Sequence, residues 1–287
     1  MFGRPDDILR VPEFDDPTET TSLDVADPLS EGLDSLLSAT GAQLVALLTL
    51  VGFGSTVLSQ SLTVQVGRDV LEYIRETADM SQPETQEAVA EFERLLDNTG
   101  FALDVSIPVL LAGLLVLALV SEAVLIVAVR VFANAEQDGI PVDLATRRLP
   151  IATLYGFIGG ILLGIAVVFG LLLFIVPGIL IFIGTLFFRQ EIALADKGPI
   201  QAISGTWAVT KGNRWTLLLL VVILWAIGFA IGLVPGFIPG TVGLVLTVLV
   251  SSVMSVFTIA VVTDAYVRLS DQPAETDQST ETSTDML

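Results

Sequence analysis

The chain contains no cysteine and no histidine. Lack of cysteine excludes a disulfide, a thiolate nucleophile and a zinc–sulfur site. Lack of histidine removes the commonest general base and the commonest metal ligand. Lysine is nearly missing as well: of 13 basic residues only Lys197 and Lys211 are lysine, and the rest are arginine. Positive charge is scarce altogether, because those 13 stand against 32 acidic residues. The acids gather in the N-terminal tail to about Asp34, in 69–104 and in the C-terminal tail. Such aqueous surfaces repel phosphates, so nucleic acid is not an expected partner. The opening MFGRPDDILRVPEFDD is acidic, has no apolar run and does not read as a secretory signal peptide. GxSxG, HExxH, P-loop and Cys/His patterns are all missing. An enzyme is the least supported class, and no cofactor or metal is expected.

What the chain has instead is apolar length. Hydrophobic residues make up 53% of its 287 positions. About 20 apolar residues cross a bilayer core. Ser35–Gly67 is free of charge, which gives a first span near 42–63, and a second runs near 107–130. Leu149–Phe188 (40 residues) and Trp215–Thr263 (49 residues) are uncharged throughout. At 1.5 Å per residue these would be about 60 and about 74 Å of helix, each at least twice the bilayer core. Each is therefore two spans, expected near 151–175, 178–194, 214–233 and 241–266. Proline marks the reversals, because the residue before it avoids the helical region. The expected turns are Val176-Pro177-Gly178 and Val234-Pro235-Gly236, the latter followed by Pro239-Gly240. The repeated VPG makes a weak pseudo-repeat.

The fold class is thus all-α: a polytopic bundle of about six transmembrane helices, one interfacial helix and a small helical hairpin outside the membrane. Residues 1–28 and 269–287 read as disordered acidic tails, and 29–268 as the membrane domain. Leu29, Leu33, Leu36 and Leu37 fall on one face of a short helix leading into the first span. The hairpin is 68–103. Val66, Val70 and Ile74 extend the first helix into water. Ser81 and Glu84 resemble a capping box, Val89, Phe92, Leu95 and Leu96 form an apolar stripe, and Gly100 is a C-cap candidate.

Arg130, Arg147, Arg148, Arg189, Lys197, Lys211, Arg214 and Arg268 fall on one side of this topology, whereas both VPG hairpins carry no basic residue. The positive side is cytoplasmic. The expectation is a multi-pass protein of the cell membrane with both termini inside.

Between the fourth and fifth spans lies KGPIQAISGTWAVTKGNRW (197–215). Pro199 suits a first helical turn. Ile200, Ile203 and Trp207 recur at helical spacing, and 199–210 is too short to span. An amphipathic helix in the cytoplasmic interface fits, with Trp207 and Trp215 at headgroup depth and Lys197, Lys211 and Arg214 at its ends. A connector that covers the span ends is the plainer reading and carries the larger weight.

A Pro-Gly turn, then Arg189-Gln190-Glu191, then Ala202 and Ser204, then Thr210-Lys211-Gly212-Asn213 before another span form a pattern. It resembles a group of uncharacterised haloarchaeal multi-pass membrane proteins, similar to the membrane domain attached to some glycerophosphoryl diester phosphodiesterases. The resemblance implies an all-α membrane bundle and no established activity. Arg189, Glu191, Ser204, Lys211 and Asn213 of this pattern, with Trp207 of the interfacial helix, are candidate functional residues.

Glu122 lies eight residues before Arg130, about 12 Å inside the second span. A buried carboxylate there must be paired or protonated. Arg189 and the hydroxyls of Ser251, Ser252 and Ser255 are candidate partners. An ion or proton pathway and a simple packing contact both fit, the second with about twice the weight. As a packing contact it would tolerate Glu122→Gln. Asp264 and Arg268 form an i,i+4 pair. Gly156, Gly160 and Gly164 make a small-residue stripe in the third span, and Gly228 and Gly232 a shorter one in the fifth. Contact within the monomer is the expected use, and a homo-oligomer face is the alternative. The leading functional expectation is a non-enzymatic membrane scaffold or accessory protein that meets lipids, other membrane proteins or itself through the interfacial helix. The alternative is a small transporter or channel using Glu122.

Overall fold

Uncharged runs of this length can only become helices in hydrocarbon, where each backbone amide must find its partner within its own segment. The computed structural model describes residues 23–97, 101–134 and 142–271. Among these residues every regular element is helical: α1 (Ala26–Leu37), α2 (Ala39–Thr77), α3 (Pro83–Asp97), α4 (Ile107–Phe132), α5 (Val142–Thr146), α6 (Leu149–Leu173), α7 (Ile175–Gly184), α8 (Phe188–Ala195), α9 (Pro199–Val209), α10 (Arg214–Gly236) and α11 (Gly240–Ser270). Six are long and apolar enough to cross a bilayer when α7 and α8 count as one, so the chain is a multi-pass membrane protein. The expected C-cap at Gly100, residues 1–22 of the N-terminal tail and 272–287 of the C-terminal tail lie outside the described residues.

α1 starts three residues earlier than the leucine pattern suggests, and Leu23 ahead of it is buried. The packed face of α1 is also different from the expected one. Leu29 and Leu36 join the core and Gly32 lies against Val261 of α11, whereas Leu33 and Leu37 are exposed. Asp27 pairs with Arg268 at 3.2 Å, and Arg268 holds Asp264 at 2.5 Å, the expected i,i+4 contact. Both ends of the described chain therefore meet at one end of the bundle. Ser38, in an extended conformation, ends α1 and caps α2 by accepting from the Gly41 N–H at 3.0 Å.

α2 is 39 residues long, about 58 Å, so roughly half of it projects past a bilayer core. α3 packs back on the projecting part. Leu71, Val89 and Leu96 form a small core with Ile74, Met80 and Phe92. The sequence places Val66, Val70 and Leu95 on this face, but all three are exposed; Gly67 takes that place against Leu96. The Ser81–Glu84 capping box does not form either. α3 starts at Pro83, and Asp79 closes the turn by accepting from the Ser81 N–H and hydroxyl at 3.0 and 2.6 Å. Returning from α3, the chain is tied to α2 by the Leu103 N–H on Ser61 Oγ (2.8 Å) and by Phe101 edge-on to Phe53.

The two VPG turns are not equivalent. α6 ends at Leu173 and the chain reverses at Phe174, which is extended, so Pro177 sits in the first turn of α7. A proline there lacks only an N–H that the helix start leaves free. Gly178 is buried against Gly170 and Leu171, and lets α6 and α7 touch backbone to backbone. By contrast, Pro235 and Gly236 fall inside the last turn of α10. That reversal occurs at 237–239, and Gly240, with a positive φ of 77°, starts α11. The same tripeptide thus opens one helix and closes another.

The expected span 178–194 is not one helix but two. It breaks at 185–187, and Phe187 at the break is fully buried. α4, α6, α7, α10 and α11 touch one another in that cyclic order, α8 packs on α4 and α6, and α9 packs on α8, α6 and α11.

Candidate functional site

The break in the fourth span frees backbone groups, and α9 supplies one partner. The Phe187 N–H donates to Thr206 Oγ1 at 3.1 Å, with both residues fully buried. Thr206 belongs to a face, Ala202-Thr206-Thr210, that is completely buried at i,i+4 spacing. The sequence pattern points to Ile200, Ile203 and Trp207 as the anchoring stripe. Ile203 does pack on the core, but Ile200 is 84% exposed. Trp207 is partly exposed; its ring lies over Gly184 and stacks with the Arg214 guanidinium at 4.4 Å. α9 is therefore held mainly by its small and hydroxylic face, with Ile203 and one side of the Trp207 ring packed on the bundle and Ile200 turned away from it. Two threonines among apolar residues gave no sign of this, because the donor that Thr206 serves exists only once the span breaks.

Next to the break, α8 carries Arg189-Gln190-Glu191. Arg189 Nε and Nη2 donate to the two carboxylate oxygens of Glu122 at 2.9 and 3.0 Å. This is a bidentate fork, the strongest form of ion pair. It joins α4 to α8 across 67 residues of chain. Gly156 of α6 lies against the same carboxylate, leaving no room for a side chain. The serines do not share in the pairing: Ser252 and Ser255 hydroxyls donate to their own helix, to Val248 and Ser251 carbonyls.

Glu191 is 1% exposed and pairs with Lys197, which follows α8. Tyr266 of α11 stands near the same carboxylate. Gly205 of α9 is packed over the pair, so that a Cβ would fall 2.7 Å from Lys197 Nζ. Gly205, like Thr206, was not singled out by sequence. Arg130 completes the layer. Its buried guanidinium donates to the carbonyls of Ala193 (3.0 Å), Ala145 (3.2 Å) and Arg147 (2.7 Å). Asp196, in a left-handed conformation at the end of α8, pairs with Arg147. Arg130 and Arg147, counted by sequence as topology signals, thus also fasten α4, α5 and α8 together.

The remaining candidates disperse. Ser204 is exposed and donates to its own helix at Gln201. Lys211 is exposed, and Asn213 precedes α10 without a side-chain cap. Of the glycine stripe, Gly156 serves helix packing, but a Cβ on Gly160, Gly164 or Gly232 would meet nothing within 4 Å. Their expected packing role is therefore corrected: no neighbouring helix comes into contact with α6 or α10 at these positions. Gly228 makes only an ordinary contact with Met254, 3.5 Å from a Cβ there.

Gly160 and Gly164 instead line a cleft of about 470 Å³ between α6, α7, α8 and α11. A second cleft of about 550 Å³ lies between α7, α10 and α11. Arg189 and five apolar or hydroxylic neighbours border both, so these are two lobes meeting at the Arg189–Glu122 pair. A third cavity of about 290 Å³, between α2, α4 and α11, is lined by hydroxyls of Ser55, Thr56, Ser121, Thr247, Ser251, Ser252 and Ser255.

The family model for a domain of unknown function, DUF7847, matches residues 23–269, and the chain belongs to that family. No curated protein and no solved structure matches it.

Proposed function

We propose that this DUF7847 member is a non-enzymatic scaffold or accessory protein of the cell membrane, with both termini cytoplasmic. Its contact surface is α9 together with the start of α10. The observation that carries this reading is the outward set of Ile200, Trp207 and Trp215, 84%, 40% and 83% exposed, beside Lys211 and Arg214. Aromatic rings flanked by cations sit favourably at headgroup depth, and the bundle leaves Ile200, Trp215 and the outer part of Trp207 open to lipid or to a neighbouring membrane protein. The cluster of basic residues at this end supports its cytoplasmic placement. The excess of 32 acidic over 13 basic residues supports a high-salt setting. The resemblance to haloarchaeal proteins and to a phosphodiesterase-linked membrane domain is in keeping with both.

Depth tests this reading. With Trp215 and Trp225 replaced by phenylalanine, Trp207 fluorescence in bilayers of lipids brominated at graded positions is expected to be quenched most near the headgroup–acyl boundary. Quenching deepest at the bilayer centre would make α9 a re-entrant element and defeat the proposal.

A second reading, a small transporter or channel, is supported by the hydroxyl-lined cavity between α2, α4 and α11. It ranks lower because both Glu122 oxygens are engaged by Arg189, which leaves no carboxylate free to exchange a proton or a cation. Counterflow of ions in proteoliposomes, lost in a folded Glu122→Gln variant, would reverse that ranking.

A further inference from the structure

The two lobes that meet at Arg189 have an apolar wall and a polar end. The wall of the first is formed by Leu163, Val167, Phe182 and Val262, together with the bare backbone of Gly160 and Gly164. At its polar end stand two consecutive residues of α8. Arg189 spends Nε and Nη2 on Glu122 and keeps the rest of its guanidinium, on a side chain 38% exposed, toward the cleft. Gln190 is 3% exposed, also lines the cleft, and its amide oxygen has no hydrogen-bond partner among the described residues. Its Nε2 reaches Thr263 Oγ1 only at 3.4 Å. A buried amide oxygen left unpaired carries its full desolvation penalty, and native proteins seldom leave one so.

We propose that this cleft binds a long-chain lipid alcohol, its hydroxyl between Arg189 and Gln190 and its hydrocarbon in the lobes. The pair at the polar end selects the head group. Arg189 has donors only, whereas the orphan atom of Gln190 is an acceptor. A hydroxyl accepts from the first and donates to the second at once. It would complete the amide in either orientation, since the same group can accept from an N–H or donate to an oxygen. A carbonyl or an ionised carboxylate would satisfy Arg189 and leave Gln190 unpaired. An ammonium has donors only and could not accept from Arg189. Because Arg189 is already neutralised by Glu122, a neutral head adds no net charge to the site. The volumes of about 470 and 550 Å³ fall in the usual range for small-molecule sites. The exposed glycines give the chain its room. This site is separate from the α9 surface, and the two proposals stand or fall independently.

The test uses the full chain in phosphatidylcholine nanodiscs, with a photoreactive diazirine on hexadecanol as probe. Cross-links mapped by mass spectrometry are expected on α6 around Gly160 and Gly164. Unlabelled hexadecanol should compete at least about tenfold better than hexadecane, the worth of roughly one hydrogen bond. Gln190→Leu should remove that advantage while labelling by an alkane diazirine persists. Gly160→Leu should abolish labelling with the melting temperature retained, because its side chain enters open space; Gly164→Leu provides the same block if the first variant does not fold. Equal competition by alcohol and alkane, or unchanged labelling in the filled variants, would overturn the proposal.

Discussion

Glu122 shows how much of a residue's meaning depends on its partner. A carboxylate about 12 Å inside a span reads as a hint of transport, but with both oxygens held by Arg189 it works as a pin between α4 and α8. Tolerance of Glu122→Gln, expected for a mere packing contact, is therefore revised. The amide can accept only one of the two donors, and Arg189 is left charged in a low-dielectric cleft. Breaking such a pair from one side costs about 3–5 kcal/mol when fully buried, and less here because Arg189 is part-exposed. Thermal unfolding in detergent should show each of Glu122→Gln and Arg189→Gln clearly destabilised. The double variant should be less destabilised than the sum, by about 1–3 kcal/mol. Strict additivity would mean that the pair is not coupled. Asp79 offers a residue-scale test in the aqueous hairpin. The Ser81 hydroxyl first, then the Ser81 N–H and the Gln82 amide, hold its carboxyl below the ordinary 3.8. A depressed carboxylate stabilises the turn above pH 3.8 and loses that effect as pH falls through its own lower midpoint. In an NMR titration Ser81→Ala should move the Asp79 midpoint back up toward 3.8; an unmoved midpoint would remove the hydroxyl from the account.

At the scale of elements, spacing alone does not tell which glycine touches what. Gly156, Gly160 and Gly164 share one helix face, yet the first abuts Glu122 and the other two border a cleft. Alanine should separate them. Gly156→Ala pushes the Glu122 carboxylate off its fork and is expected to cost about 1–3 kcal/mol, the usual range for overpacking. Gly160→Ala and Gly164→Ala add a methyl to open space and raise helix propensity. In thermal unfolding they should be neutral or stabilising, by up to about 1 kcal/mol. Equal losses at all three positions would mean that the stripe is buried as a unit. The same lesson applies to α9, where the buried side is Ala202-Thr206-Thr210 rather than the bulky apolar stripe. Its binding partner is a backbone N–H at Phe187, which no side-chain periodicity can reveal.

For the whole molecule, α1, α8, α9 and the end of α11 gather at the arginine-rich end, and the α2–α3 hairpin projects from the opposite one. The native chain has no cysteine, so single cysteines report cleanly. A membrane-impermeant thiol reagent applied to intact cells should label a cysteine at Thr85 and not one at Gln201. The opposite pattern would invert the topology and move the α9 surface to the outside.

The sequence by itself determined an all-helical membrane bundle, the number of its long apolar helices and the existence of α9, because chain length without charge and the bilayer thickness leave few other solutions. It also supplied the Glu122–Arg189 partnership as one option among several, since a buried carboxylate demands a cation. Tertiary structure alone decided the break at 185–187, the use of one VPG to open a helix and of the other to close one, and the cleft at Gly160 and Gly164. The physical reason is that hydrophobicity inside a membrane does not discriminate. Lipid-facing and helix-facing positions are equally apolar, so which face packs is settled by shape and by a few hydrogen bonds between residues far apart in the chain.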